Sequence, residues 1–164
     1  MRYYNVRYII RMNSFDRDML ILLHDVARMQ RTRFDQWART YGMTRAQGII
    51  LTRLDRQPGL SQNEMAALCE VEPITVGRLV DRLEGRGLIE RRADPSDRRI
   101  RRLHLLPAAT PVLAAIRDYK TALEDYLTEG LDRDVQETVI DVLLHMKAKL
   151  NMETAVPLQA VVGG

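Results

Sequence analysis

Between Ser61 and Leu106 the chain reads SQNEMAALCEVEPITVGRLVDRLEGRGLIERRADPSDRRIRRLHLL, and this run leaves few folds open. Ser61-Gln-Asn-Glu64 is a capping box, in which the hydroxyl accepts from an amide three residues on and the Glu side chain returns to the Ser amide. Leu60 before the cap and Met65 within the helix make the matching hydrophobic staple. That helix is short and ends near Cys69 to Val71. Pro73 suits the first turn of a second helix, because its missing N–H costs nothing there. Val76, Leu79, Val80 and Leu83 give this second helix one apolar stripe, and Gly87 falls where a left-handed C-cap residue is wanted. Leu88–Arg92 and Ile100–Leu106 then read as short strands, and the turn signal Asp94-Pro95 between them implies an antiparallel hairpin. The expected unit is a helix-turn-helix followed by a β-hairpin wing.

Helices flank it on both sides. Asn13-Ser14 offers a cap, with Asp16 and Asp18 in the first turn, and Met19, Leu22, Leu23, Val26, Met29, Phe34 and Trp37 keep helical spacing until Gly42. Thr44 caps a further helix with Ile49, Ile50 and Leu54 on its inner face, stopped by Pro58-Gly59. After Pro107, Val112, Ile116, Tyr119, Leu123 and Tyr126 step by four and three; Gly130 interrupts, and Val135, Val139, Val142 and Met146 repeat the steps. Such near-heptad stripes suit packing against a second chain. The expected fold is mainly α with a small antiparallel β-hairpin: an N-terminal extension over 1–13, a helix over 14–40, the winged helix-turn-helix over 44–106, two long helices over 107–150 and a tail over 151–164.

Charge is local rather than global. The whole chain carries a net +3, yet from Arg86 to Arg102 seven arginines stand against three acids. A focused basic patch of this kind points to nucleic acid. With Cys69 alone, neither an internal disulfide nor a thiolate metal cluster can form. ALCEV around Cys69 has the pattern of core, and a redox role for the thiol is the alternative. His24, His104 and His145 lie far apart without metal-ligand spacing, so no metal or other cofactor is expected. No nucleophile–base pair or Gly-rich phosphate loop suggests an enzyme. The aliphatic run Met19–Leu23 is too short to span a membrane, and the opening MRYYNVRYIIR does not read as a signal peptide, so a cytoplasmic protein is expected.

Within the winged unit, the amides at Ser61 and Gln62 open the first short helix and suit phosphate. The second helix must turn its stripe inward, which leaves Pro73, Ile74, Thr75, Gly77, Arg78, Asp81 and Arg82 on or near the outer face. Arg78 suits guanine as a bidentate donor, and Ile74 and Thr75 suit a thymine methyl. Gly77 fits either close approach to DNA or close helix packing. At the hairpin tip Asp97 is expected to fix the turn and aim Arg99, with Arg98 and Arg101 beside it, for entry into a minor groove.

The block LVDRLEGRGLIERR (Leu79–Arg92) and the wing DPSDRR (Asp94–Arg99) resemble the MarR/SlyA family of winged helix-turn-helix regulators. The family's wing signature, Asp-x-Arg, falls on Asp97 and Arg99, and the element order matches over about 14–150. The resemblance implies a homodimer held by the N-terminal and the two C-terminal helices, a pseudo-palindromic double-stranded DNA operator, and repression relieved by a ligand, often an aromatic acid or its CoA thioester. The family's effector pocket lies between the dimerisation helices and the DNA-binding lobe. Arg17, His24, Arg28 and Arg31 share one helix face and would suit an anion there, with Met43 and Tyr119 as walls; a solvated face with Asp25 and Asp35 as partners is the plainer reading. The same fold without a small-molecule effector, or a winged helix that binds protein, are the alternatives.

Overall fold

The computed structural model describes residues 17–151. Among them are α1 (Met19–Thr40), α2 (Arg45–Arg56), α3 (Gln62–Cys69), α4 (Pro73–Gly85), β1 (Ile89–Ala93), β2 (Arg101–Leu105), α5 (Ala109–Thr128) and α6 (Arg133–Asn151). The expected cap at Asn13-Ser14, the extension over 1–13 and all of the tail beyond Asn151 lie outside the described residues. The chain divides into two compact units between Ala122 and Leu123, within α5.

The larger unit holds α1 to β2 and most of α5. Asp18 is the N-cap of α1 rather than a first-turn residue: its carboxylate accepts from the Leu20 amide at 2.9 Å and the Ile21 amide at 3.1 Å. That bond satisfies orphan donors at the helix start and sets it at Met19. Thr44 caps α2 in a full capping box with Gln47. The inner face of α2 is Gln47, Gly48, Ile50, Leu51 and Leu54. Ile49, expected inside, is 39% exposed, since Ile50, Leu51 and Leu54 already fill the core-facing arc.

Ser61 and Glu64 form the expected capping box on α3, and Leu60 and Met65 are both buried in the same core. Glu70, at a left-handed φ of 53°, ends α3 without a glycine. Pro73 is the first residue of α4, and Val76, Val80 and Leu83 are fully buried. Gly87 takes φ 67° and lets Leu88 turn back, its amide bonding the Leu83 carbonyl at 3.0 Å. The strands then pair antiparallel in the register Ile89↔Leu105, Arg91↔Leu103 and Ala93↔Arg101, with Ile89 and Leu103 fully buried. The first strand is shifted by one residue from the expected Leu88–Arg92, with Leu88 outside it and Ala93 inside, and the second is shorter than the expected Ile100–Leu106, since Ile100 and Leu106 lie outside β2. A short extra rung is absent from the sequence pattern. The Leu103 amide bonds the Leu60 carbonyl at 2.9 Å, the Gly59 amide bonds the Leu103 carbonyl at 3.1 Å, and Ser61 bridges to Arg102. This rung ties the α2–α3 turn to the base of the wing. In α5, Ala109, Leu113 and Ile116 are the buried residues, and Val112 and Tyr119 are half-buried.

The smaller unit holds the end of α5 and α6, separated by Gly130 at φ 80°. No described residue of α6 is buried; Val135, Val139, Val142 and Leu143 are each more than two-fifths exposed. The expected stripe exists, and it is exposed among the described residues.

Candidate nucleic-acid interface

The wing tip is organised by a buried carboxylate. One oxygen of Asp94 accepts from the Ser96 amide (2.8 Å), the Ser96 hydroxyl and the Asp97 amide (3.1 Å). Its other oxygen accepts from Arg102 Nε at 2.7 Å. These bonds to the charged form hold the Asp94 carboxyl far below the usual range, with the Ser96 hydroxyl the largest cause and Arg102 next. Asp97 does the aiming that the sequence suggested: its carboxylate accepts from the Arg99 amide (2.9 Å), Nε (3.1 Å) and Nη2 (3.0 Å). Arg99 lowers the Asp97 carboxyl in return. Asp97 is expected from the sequence to fix the turn; Asp94 holds most of it instead, and Asp97 is the brace of Arg99. The cue was available in Asp94-Pro-Ser, since an Asp bonding amides two and three residues on is the Asx-turn pattern.

The arginines divide by what already holds them. Arg102 binds Asp94, Glu64 (2.8 Å) and the Gly59 carbonyl (3.3 Å), which joins wing, α3 cap and α2–α3 turn. Arg91 binds Asp81 at 2.6 Å and also Glu84, both on α4. Arg92 pairs with Glu90 beside it. Arg86 donates to the Gly42 and Tyr41 carbonyls at 3.0 and 3.1 Å, capping the end of α1. Arg78, Arg82, Arg98 and Arg101 are exposed and make no ion pair among the described residues. The Arg99 side chain is 91% exposed despite its brace.

On α4, Pro73, Ile74, Thr75, Arg78, Asp81 and Arg82 are all exposed, with Ile74 67% exposed, a large apolar residue left in water. Gly77 has a packing reason: a Cβ there would meet the Gln62 amide nitrogen at 3.0 Å. Gln62 itself donates to the Pro73 carbonyl at 3.1 Å, so it fastens α3 to the start of α4. Ser61 is engaged in its capping box with Glu64, whose carboxyl is lowered chiefly by the Ser61 amide.

The six residues expected around an effector are not all brought together, and Arg31 is exposed on α1. Met43 is 3% exposed and belongs to the core cluster. Tyr119 stacks on Trp37 (4.7 Å between centroids) and meets Phe34 edge-on (5.5 Å), and its buried hydroxyl has no hydrogen-bond partner among the described residues. Arg17, His24 and Arg28 are exposed on or beside α1; Arg28 pairs with Asp25 at 3.2 Å, and Asp35 pairs with Arg45 at 3.4 Å. Sequence reasoning missed the Phe34–Trp37–Tyr119 cluster as a unit, although Phe34 and Trp37, three apart on one helix, announce a shared face. Cys69 is half-buried, with its sulfur 3.8 Å from that of Met65, and burial pushes its thiol up. No group of His, Cys, Asp or Glu suited to a metal occurs among the described residues. No described helix is long and apolar enough to cross a membrane.

A capped short helix, a Pro-led second helix with two exposed arginines, and an Arg-tipped hairpin fastened to both define a winged helix-turn-helix of the DNA-binding kind. Residues 43–100 match the MarR family model. A regulatory protein of Thauera aromatica, named for the hcr operon, is 36% identical over 116 residues, covering 67% of this chain and 69% of that one. The crystal structure of MarR superposes with a TM-score of 0.74 at 27% identity, over 85% of this chain and 94% of that one. That of the transcriptional regulator SlyA gives 0.71 at 26% identity, over 81% and 94%. The chain belongs to the MarR family of transcriptional regulators, and its fold is that of a DNA-binding regulator.

Proposed function

We propose that this protein is a cytoplasmic homodimer that represses transcription by binding a pseudo-palindromic operator, and that a small aromatic or anionic ligand releases it. The observation that carries the DNA reading is the division of the arginines. Those at the base of the wing are spent on internal carboxylates, while Arg78, Arg82, Arg98 and Arg101 stay exposed without ion pairs among the described residues and Arg99 is braced outward. Arg78, with Ile74 and Thr75, reads base edges in the major groove; Arg98, Arg99 and Arg101 follow the backbone or enter the adjacent minor groove. Pro73, Gly77, Ser61, Gln62 and Asp97 shape this surface rather than carry its charge. The exposed stripe of α6 supports the dimer, with the segments 14–40 and 107–150 as its interface and residues 44–106 as the DNA-binding part. Two-fold symmetry then places half-sites roughly 10–10.5 bp apart, or a multiple of that.

The ligand reading is supported by the aromatic cluster, where the Tyr119 ring packs on Phe34 and Trp37 and its buried hydroxyl has no hydrogen-bond partner among the described residues, and by the exposed side chains Arg17, His24 and Arg28. A ligand relieves repression only by binding better to a protomer arrangement that misfits the operator. A redox switch at Cys69 has less support, because a thiol raised by burial is protonated at neutral pH and reacts slowly.

Titration of fluorescent promoter DNA with wild type, Arg78→Ala and Arg99→Ala tests the assignment. Arg78→Ala is expected to cost about 1–3 kcal/mol and to relax preference at one base pair per half-site. A uniform loss on every sequence would make Arg78 a phosphate contact. Arg99→Ala is expected to lower the slope of log affinity against log salt by about one unit. An unchanged slope removes Arg99 from the interface.

A further inference from the structure

Helix α4 carries two arginines, Arg78 and Arg82, and two carboxylates, Asp81 and Glu84, so alone it has no net charge. Asp81 lies three residues from Arg78, a spacing at which opposite charges pair on a helix surface. A carboxylate there would draw the Arg78 guanidinium down onto the helix and away from a base edge. It would also face the phosphates with the wrong sign. The structure disposes of both acids from outside the helix. Arg91, on β1, reaches Asp81 with Nη2 at 2.6 Å and Glu84 with Nη1, and the Arg91 backbone amide donates to Glu84 at 3.2 Å. Arg91 is the less exposed partner, its side chain 22% exposed against 66% for Asp81. Arg78 and Arg82 are left as the unpaired charges of α4 among the described residues.

We propose that Arg91 is a positioning residue for base readout: it holds Asp81 and Glu84 so that Arg78 stays free to reach DNA. The inference rests on the reading of Arg78 as a base-reading residue. It separates Arg91 from the other wing arginines, because Arg91 acts through a carboxylate and contributes no phosphate contact. Its loss should therefore be repaired by removing that carboxylate, which no loss of a DNA contact or of general stability would allow.

The test is a double-mutant cycle on promoter DNA and on single-base variants of the half-site, read by anisotropy. Arg91→Ala is expected to weaken binding about tenfold and to relax preference at the base pair Arg78 reads, within the range for one lost bidentate base contact. Asp81→Asn alone is expected to bind as wild type or tighter. Arg91→Ala combined with Asp81→Asn is expected to return to within about twofold of wild type, with the base preference restored. A double variant as weak as Arg91→Ala overturns the proposal, and so does an Arg91→Ala protein with full affinity and preference. If the alanine variant does not fold, Arg91→Gln keeps the stem and the donors without the charge and supports the same cycle. Arg78→Ala, run alongside, keeps the two ideas apart: no change in preference there removes the reading of Arg78 itself, whereas a change there without rescue by Asp81→Asn removes only the role of Arg91.

Discussion

The α4–wing region and α6 were both announced by apolar residues stepping by three and four, yet the chain treats them differently. In α4 the stripe of Val76, Val80 and Leu83 is fully buried. Beyond the core, Gln62, Arg91 and Arg102 fasten α3, α4 and the wing to one another through hydrogen bonds and ion pairs. In α6 the same kind of stripe buries no described residue. Among the described residues, one region is covered and the other is left exposed. The lesson is that periodicity reports a face that must be covered, and only the fold reports whether the chain covers it itself.

The largest expected effect comes from attacking the incomplete region. Val139→Glu places a charge on the exposed α6 stripe, far in sequence from the wing. It is expected to halve the mass seen by sedimentation and to cut operator affinity on the order of 100-fold, since two linked half-site contacts become single ones. A variant that keeps the wild-type mass and affinity would show that the α6 stripe is not an interface.

The next effect comes from loosening the complete region without touching its groove arginines. Arg102→Ala frees the wing from Asp94, Glu64 and the Gly59 carbonyl. Affinity is expected to drop about tenfold while the salt slope stays that of wild type, because the groove arginines are displaced and not deleted. A fall in slope would mean that Arg102 itself reaches phosphate.

Acid probes the same fastening more gently. Asp94, Glu64 and Asp97 are all held below their ordinary values by hydrogen bonds to the ionised form. The folded state binds those protons less readily than the unfolded chain, so the stabilisation is fully present above the ordinary carboxylate range. It is lost as pH falls through the folded values. The melting temperature is therefore expected to show no wing-related loss between about pH 8 and 5 and to fall below about pH 4. In Asp94→Asn the acid loss should be smaller; an identical acid profile would mean that Asp94 does not govern it.

The smallest effect is at Gly77. Alanine there gains about 1 kcal/mol of helix propensity. It also presses on the Gln62 amide, which a Cβ would meet at 3.0 Å. The two oppose each other, and the net change in unfolding free energy is expected to stay under about 1 kcal/mol. A much larger loss would show that Gln62 cannot leave the Pro73 carbonyl.

What could be read in advance followed from how local each signal is. The capping box at Ser61-Glu64, Pro73 opening α4 and Gly87 closing it are satisfied within a few residues, and each stands where it was expected. The error at Ile49 has a simple source: Ile49 and Ile50 are both apolar neighbours, and only the packing of Leu51 and Leu54 decides which turns inward. The start of α1 moved because Asp18, and not a residue before it, supplies the capping oxygen. The candidate site was legible in its charges but not in their assignment. Seven arginines in a short run all look alike in sequence. Contacts spanning tens of residues, Arg102 to Glu64 and to Gly59, and Arg86 to Tyr41, separate those that build the wing from those that stay free.

The most direct measurement is the affinity of the purified protein for a fragment of its own promoter between about 50 and 200 mM salt. Saturable binding of one dimer per site is expected, weakening steeply with salt, with a lower slope when Arg98 and Arg99 are both replaced by alanine. Absence of binding at the lowest salt, or a slope indifferent to those two residues, would contradict the claim that α4 and the wing form a DNA-binding surface.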